Sequence, residues 1–168
     1  MSNLNQKLDK IDLNILQILQ DNSKITNLDL SKKIGLSPAP TLERVKKLEN
    51  SGIIKSYHAQ VDPQVIGLSV KTFLLVSLAW SKDNALENFI AKVNAIDEIV
   101  QCYIITGEAD FLLHLVCKDI PSYEQLLLKT LSKIEEIEHM KTLMTLSMVK
   151  DSKVLPFDYE TAEELVTH

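Results

Sequence analysis

The chain of 168 residues lacks the features that define several protein classes. Its longest apolar runs, such as residues 73–76, are far too short to span a bilayer. Its polar first residues contain no apolar core of a signal peptide, so we expect a cytoplasmic protein. It has only two cysteines, which argues against a disulfide framework. Because Cys102 and Cys117 lie in apolar runs, we expect both to be buried thiols.

Residue patterns typical of enzymes are also missing. The four histidines are scattered through the sequence, at His58, His114, His139 and His168. None of them has a metal-ligand spacing, and the chain has no phosphate-binding glycine loop and no nucleophile elbow. A hairpin centred on Glu108 would place His114 opposite Cys102, which we interpret as a packed cross-strand pair. We therefore expect no catalytic residues, no metal and no cofactor.

Charge is distributed unevenly along the chain. Residues 1–62 carry nine Lys or Arg and seven Asp or Glu, a net charge of +2, whereas residues 63–168 carry nine and sixteen, a net charge of −7. Within residues 32–58 the net charge is +4, from six basic and two acidic side chains. A locally basic segment can meet phosphates in an acidic protein, so this pattern is compatible with nucleic-acid binding.

Two helices are predicted before residue 36. Apolar side chains recur with helical spacing over residues 8–20. Thr26 is expected to cap a second helix, and Asp29 follows it in a weak capping-box arrangement. Gly35 is expected to end that helix because glycine accepts the left-handed conformation of a C-cap.

A third helix is predicted over residues 38–51, with Ser37 as its N-cap. The first N–H groups of a helix have no intrahelical partners, so Pro38 and Pro40 forfeit no hydrogen bond there. Pro40 disfavours the helical conformation at the residue before it, which leaves Pro40 itself as an alternative start. Gly52 is expected to end the helix. Its apolar stripe is Leu42, Val45 and Leu48.

This order of helices predicts a helix-turn-helix motif whose recognition helix is residues 38–51. Base contacts in such motifs come from the helix start, here Ser37, Ala39, Pro40 and Thr41. The basic side chains that follow are expected to reach phosphates or a guanine edge, namely Arg44, Lys46 and Lys47. A plainer interpretation is three small helices with a solvated basic face. Alternating apolar residues over 53–61 predict a wing or hinge strand.

The second half predicts the order β-α-β-β-α-β, which is typical of a ferredoxin-like fold. The elements follow a linker at residues 63–70 and fill residues 71–150. The expected strands are 71–79, 99–106, 110–117 and 141–149. The expected helices are 83–95 and 122–134, the second capped by Ser122. The fold class is therefore α+β, with residues 1–62 as a winged helix-turn-helix domain. An acidic tail, 151–168, is expected to pack loosely or to exchange between subunits.

The predicted strands are apolar on both faces, as in residues 71–79. Two helices cover only one face of a four-stranded antiparallel sheet, so the other face must pack against something else. The simplest partner is the same sheet of a second copy, which predicts a homodimer.

With both halves considered, the chain resembles the leucine-responsive regulator/asparagine regulator (Lrp/AsnC, feast/famine) transcription factors over roughly residues 8–150. The stretches that carry the resemblance are LDKIDLNILQILQDNSKITNLDLSKKIGLS (8–37), SPAPTLERVKKLENSGII (37–54) and YIITGEADFLLHL (103–115). The resemblance implies binding to pseudo-palindromic double-stranded promoter DNA and dimers that assemble further, to octamers. It also implies that amino-acid effectors bind between C-terminal domains and change assembly or DNA affinity.

The resemblance also implies an effector region. The positions that match the family are Gly107 and Asp110 in a turn, together with Ile104, Ile120, Leu143, Met144 and Thr145. Turn N–H groups near Gly107 are expected to donate to a carboxylate, and Glu108 or Asp110 to accept from an ammonium. Ala109 stands where many relatives carry an aromatic residue, which leaves the ligand's identity open. Without the resemblance, Gly107 is a hairpin glycine and Asp110 a turn cap.

Two functions follow. The first is a sequence-specific transcriptional regulator modulated by a small molecule, expected to be an amino acid. The alternative is an oligomeric amino-acid-binding module that binds DNA only nonspecifically.

Overall fold

A computed structural model describes residues 8–156, and these form two compact units. One unit contains residues 8–59 together with residues 150–156, and the other is Gln60–Val149. No helix within residues 8–156 is long and apolar enough to cross a membrane. The expectations for residues 1–7 and for residues 157–168 of the acidic tail lie outside the described residues.

The N-terminal unit is built from three helices. They are α1 (Lys10–Asp21), α2 (Asn27–Ile34) and α3 (Pro38–Asn50). Apolar residues spaced along each helix meet in one small core, formed by Ile15, Leu16, Leu30 and Leu48. Burial of these faces is what holds such short helices, since isolated helices of this length are marginal in water.

Local capping fixes the helix ends. Asp9 caps α1 in a reciprocal capping box with Asp12, and Thr26 caps α2 by accepting from the Asp29 N–H. Gly35 adopts the left-handed conformation predicted for it, with φ of +73°. The third helix begins at Pro38, with Ser37 as its N-cap, so the later start at Pro40 is excluded.

Two expectations for this unit are wrong. Residues 53–61 form no strand, because a β-ladder needs a hydrogen-bonded neighbour and the described residues of this unit contain no other strand. Ile54 nevertheless packs on the helical core, and its N–H donates to Leu48 O at 3.1 Å. Leu42 was expected in the apolar stripe, but it is exposed, and Thr41 takes the buried position beside it.

The second unit has the β-α-β-β-α-β order. Its elements are β1 (Val70–Leu78), α4 (Ala85–Val93), β2 (Ile99–Ile104), β3 (Phe111–Cys117), α5 (Ile120–Lys129), a 3-10 turn at Leu131–Lys133, and β4 (Ile137–Met144). The strands form one antiparallel sheet in the order β2-β3-β1-β4, the strand order of a ferredoxin-like fold. The predicted fold class is confirmed.

Alternate residues of the central strands form the core of this unit. Leu74, Val76 and Leu78 of β1 point to the same side as Phe111 and the other core residues of β3. Both helices pack on that side through residues that include Phe89, Val93, Tyr123 and Leu126. The opposite side of the sheet is only partly shielded in a single chain.

Two predicted details of this unit are wrong. Asp119 rather than Ser122 caps α5, since the Asp119 carboxylate accepts from the Ser122 N–H at 2.8 Å. The last strand runs over Ile137–Met144 rather than 141–149 because its only neighbour, β1, begins at Val70. Residues 146–149 therefore have no strand beside them.

The register of β2 and β3 separates the two residues that were expected to face each other. His114 lies opposite Gln101, whose side-chain oxygen is 2.9 Å from His114 Nδ1, and it stacks on Phe73. Cys102 lies opposite Leu113 and is exposed, contrary to the expectation of a buried thiol. Cys117 is buried as expected. Ile104 pairs with Phe111, so the turn is centred between Gly107 and Glu108 and the register differs by one residue from a hairpin centred on Glu108; a separate irregularity follows between Ile99 and Gln101.

The described part of the C-terminal segment contacts the first helix of its unit. Gln20 pairs with the backbone of Leu155: its Oε1 accepts from the Leu155 N–H at 2.7 Å, and its Nε2 donates to the Leu155 carbonyl at 3.4 Å.

Candidate DNA interface and effector region

The start of α3 is presented to solvent. Ser37, Ala39 and Pro40, three of the predicted base-contacting residues, are all exposed. Asn27 Nδ2 donates to the Pro38 carbonyl at 2.8 Å and so ties the beginning of α2 to the beginning of α3. This bond and the two prolines restrict the conformation of the helix start.

Thr41 differs from its predicted role. It is fully buried, and its hydroxyl donates to the Ser37 carbonyl at 2.9 Å. The side chain therefore stabilises the first turn of α3 from inside and offers nothing to a base. The helical spacing of apolar residues did not predict the burial of Thr41, because threonine is counted as polar in that pattern.

Arg44, predicted to reach phosphates or a guanine edge, is paired with carboxylates of its own unit. Its Nη1 lies 2.7 Å from Asp9 Oδ2 and 2.7 Å from Asp12 Oδ1, so the guanidinium is held by the capping box of α1. The hydrogen bonds to Asp12 and Asp9 raise the pKa of Arg44 above its ordinary value. Burial raises the pKa of Asp9, but the Asp12 N–H and Arg44 outweigh it and lower that pKa overall. Arg44 fastens α3 to α1 rather than extending to solvent.

Lys46 and Lys47 are exposed and border a shallow groove along α3. Glu43, Asn50 and Ser51 line the same groove. Sequence reasoning missed Glu43 and Asn50, although their spacing to the lysines places all four on one helix face. Amide and carboxylate side chains can read adenine and cytosine edges, whereas lysines favour phosphates and guanine.

The segment after α3 is attached to it through a tyrosine. The hydroxyl of Tyr57 donates to Glu49 Oε1 at 2.8 Å. Burial and this carboxylate raise the pKa of Tyr57 to about 12. The hydroxyl therefore stays protonated, and able to donate, across the physiological pH range.

The effector region begins with Asp110, which is held at the junction of β1 and β3. Its Oδ2 accepts from the Leu78 N–H at 2.8 Å and from Trp80 Nε1 at 3.2 Å. Its backbone N–H donates to the Val76 carbonyl at 3.0 Å. This is more than a turn cap, because the carboxylate also fixes the end of the neighbouring strand and the loop after it.

The turn before Asp110 is open. Gly107 has φ of +126°, a conformation that side-chain-bearing residues rarely adopt, and a Cβ there would meet nothing within 4 Å. Glu108 is exposed and pairs with Lys141 at 3.6 Å, whereas Ala109 is partly buried. Ile104, at the end of β2, is 72% exposed.

The remaining effector positions lie elsewhere on the sheet. Met144 pairs with Thr72, and the Thr145 N–H donates to Lys71, whereas Asp110 contacts Val76 and Leu78. These contacts are four to seven residues apart along β1, which is roughly 13–23 Å. Leu143 and Ile120 are exposed with Met144, away from the turn. The nine predicted effector residues therefore do not line one pocket within a single chain.

The fold and these two regions define a two-part protein, a helix-turn-helix unit joined to a ferredoxin-like unit. Residues 8–55 match a family model described as winged helix-turn-helix DNA-binding, and residues 71–155 match one described as Lrp/AsnC ligand binding domain. Together they define the class: a DNA-binding transcription regulator with a ligand-binding domain.

Similar proteins identify the family. The leucine-responsive regulatory protein of Haemophilus influenzae is 38% identical over 90% of this chain and 91% of its own length. A transcriptional regulator of Neisseria meningitidis, solved as a complex with L-Met, is 36% identical and superposes with a TM-score of 0.86, covering 89% of this chain and 96% of that one. An AsnC family regulator of Agrobacterium tumefaciens gives a TM-score of 0.84 at 33% identity, over 90% of this chain and 99% of that one. The chain belongs to the Lrp/AsnC family, a family of transcription regulators rather than a class of enzymes.

Proposed function

We propose that this protein binds promoter DNA sequence-specifically through the exposed face of α3. The observation that carries the proposal is the division of that helix: Thr41 and Leu48 are buried, whereas the helix start and Lys46 and Lys47 face solvent. Lysine contacts to phosphates supply affinity, and the residues at the helix start supply sequence preference. Arg44 and Thr41 support this surface from behind and are left out of the DNA contacts.

We also propose that a free amino acid is the effector. A structurally similar regulator is a complex with L-Met, and similar sequences are leucine-responsive regulatory proteins. The turn at Gly107–Asp110 offers the polar groups that a zwitterion requires, a carboxylate and exposed backbone N–H groups.

A homodimer through the open side of the C-terminal sheet is the proposed assembly unit. Phe73 and Leu75 of β1 and Leu112 and Val116 of β3 are apolar, alternate with core residues and remain partly exposed. Burying such a surface against a second copy removes it from water. Further association, to an octamer, would allow the separated effector positions of different copies to share a site.

DNA binding is tested by selecting sequences from random duplexes and measuring fluorescence anisotropy with the selected and a scrambled duplex. A specific regulator binds the selected duplex at least about 1,000-fold more tightly. Lys46→Ala and Lys47→Ala should weaken binding to both duplexes. Lys129→Ala removes an exposed lysine from the C-terminal unit and should weaken binding to neither duplex. Equal affinity for both duplexes would support the alternative, an amino-acid-binding module with nonspecific DNA binding.

Assembly and effector binding are tested by light-scattering mass and thermal unfolding, with and without each amino acid. One amino acid should raise the melting temperature and change the mass. If none has either effect, the effector proposal fails while the DNA proposal stands. The cytoplasmic location expected from the sequence remains a prediction.

A further inference from the structure

Trp80 is an exposed aromatic residue held in one position beside the effector region. It is the only tryptophan in the chain, follows β1, and is 60% exposed. Its indole N–H donates to Asp110 Oδ2 at 3.2 Å, and its backbone N–H donates to the Leu78 carbonyl at 3.0 Å. The ring is therefore fixed at two points while much of its apolar surface remains in water.

The carboxylate that anchors the ring retains capacity to accept hydrogen bonds. Both donors to Asp110, the Leu78 N–H and the Trp80 indole, go to Oδ2. Within residues 8–156, no hydrogen bond or ion pair engages Oδ1. An ionised carboxylate has about four acceptor positions, so Asp110 can also accept from an ammonium group.

The turn before Asp110 offers hydrogen-bond donors from its backbone. Within the described chain, the N–H groups of residues 106–109 donate to no protein acceptor, whereas those of Ile105 and Asp110 are bonded. The space beside Gly107 is open, since a Cβ there would meet nothing within 4 Å. Successive free backbone N–H groups of this kind can bind a carboxylate.

We propose that Trp80 is part of the effector site and makes it selective for amino acids with apolar side chains. The inference rests on the proposed function and specifies its ligand. The ammonium is placed at Asp110 Oδ1, the carboxylate at the turn and the side chain against the indole. Because Asp110 already occupies the only hydrogen-bonding group of the indole, the ring offers a ligand just its apolar and π surfaces. An acidic side chain there would gain no partner and would face Asp110.

The test uses the tryptophan as its own reporter. The full-length protein is titrated with L-leucine, L-methionine, L-glutamate and L-lysine, following tryptophan fluorescence and, in parallel, heat by calorimetry. We expect a saturable fluorescence change with leucine or methionine and none with glutamate. Trp80→Ala should weaken calorimetric binding about tenfold, as expected for loss of roughly 50–60 Å² of apolar contact at about 25 cal/mol per Å².

Two variants serve as controls. Trp80→Phe keeps an aromatic surface without the indole N–H and should retain more affinity than Trp80→Ala. Leu128→Ala removes another exposed apolar side chain of the same unit, 64% exposed on α5, and should bind as the unsubstituted protein does. Circular dichroism shows whether each variant is folded.

The outcomes separate this inference from the proposed function. Calorimetric binding of an amino acid with no fluorescence change, and with equal affinity in Trp80→Ala, would place the ligand elsewhere and overturn the role of Trp80 alone. Tighter binding of glutamate than of leucine would overturn the selectivity. Absence of calorimetric binding by all four amino acids would overturn this inference, whereas the effector proposal fails only if no amino acid changes the melting temperature or the mass.

Discussion

Replacing Arg44 with alanine separates two roles that a basic residue in a recognition helix can have. In the structure the guanidinium contacts Asp9 and Asp12 at 2.7 Å each, and Asp12 is only 3% exposed. Arg44→Ala therefore leaves a buried carboxylate without its cation, and it also releases α3 from the beginning of α1. If Arg44 only positions the helix, its loss should reduce stability without removing a phosphate contact.

The expected magnitude lies between two limits. Exposed ion pairs contribute about 0.5 kcal/mol, whereas breaking a buried pair costs roughly 3–5 kcal/mol. The side chains of Arg44 and Asp9 are 31% and 52% exposed and that of Asp12 is 5% exposed, so solvent screens part of the interaction. We expect Arg44→Ala to lower the free energy of unfolding by about 2 kcal/mol. That loss corresponds to roughly 30-fold faster hydrogen exchange at the buried Leu48 amide.

Removal of the carboxylate as well provides the control for stability. In Arg44→Ala/Asp12→Ala no unpaired buried charge remains, so part of the lost stability should return. A coupling free energy of about 1–2 kcal/mol between the two substitutions would show that the side chains act as a pair.

The salt dependence of DNA binding distinguishes positioning from contact. Each lost phosphate contact lowers the slope of log affinity against log salt concentration by about 0.9. We expect Lys47→Ala to show this change and Arg44→Ala to keep the original slope, whatever its affinity at one salt concentration. If Arg44→Ala lowered the slope by that amount while Leu48 exchange stayed unchanged, the ion pair would have to open on DNA, and our reasoning would be refuted.

Three further predictions concern the C-terminal unit. The hydrogen bond from Lys92 lowers the pKa of Glu136 below its ordinary value of 4.5. The pair should therefore stabilise the fold above pH 4.5 and lose that effect as the pH falls through the lowered pKa. Glu136→Gln should remove this part of the acid dependence from denaturation curves. Gly107→Trp should abolish the effector's change in mass while the dimer persists, and a normal response would place the site elsewhere. Phe89→Ala should cost about 3–5 kcal/mol in urea unfolding, since the ring is fully buried against Phe111.

Local sequence signals were sufficient for most of the fold. Thr26, Gly35 and Ser37 placed the ends of helices correctly because a cap depends on neighbouring residues: Thr26 through its hydrogen bond, Gly35 through its left-handed dihedral angles, and Ser37 through its extended dihedral angles, without a side-chain capping bond. The alternation of apolar residues placed β1 and β3 because both strands are central and bury one face. These signals depend on periods of two and 3.6 residues, which the chain carries without reference to distant contacts.

Errors arose where a distant partner decides the outcome. The last strand was predicted to begin four residues late and to end five residues late, because its bounds are set by pairing with β1, whose paired residues are 59 to 72 positions away in sequence. Cys102 and His114 were paired wrongly because the turn between β2 and β3 is centred between Gly107 and Glu108, as the pairing of Ile104 with Phe111 shows, and not on Glu108. A one-residue shift moves a side chain to the other face of the sheet.

The candidate sites show the same difference between features set by local sequence and features set by distant contacts. The sequence by itself determined the helix-turn-helix order, the basic recognition helix, the β-α-β-β-α-β order and the turn around Gly107, since each depends on local pattern or motif. Only the tertiary structure decided that Arg44 is bound by Asp9 and Asp12 and that Thr41 is buried. It alone placed Trp80 on Asp110, because that contact joins residues 30 positions apart, across two strands whose register no local signal specifies.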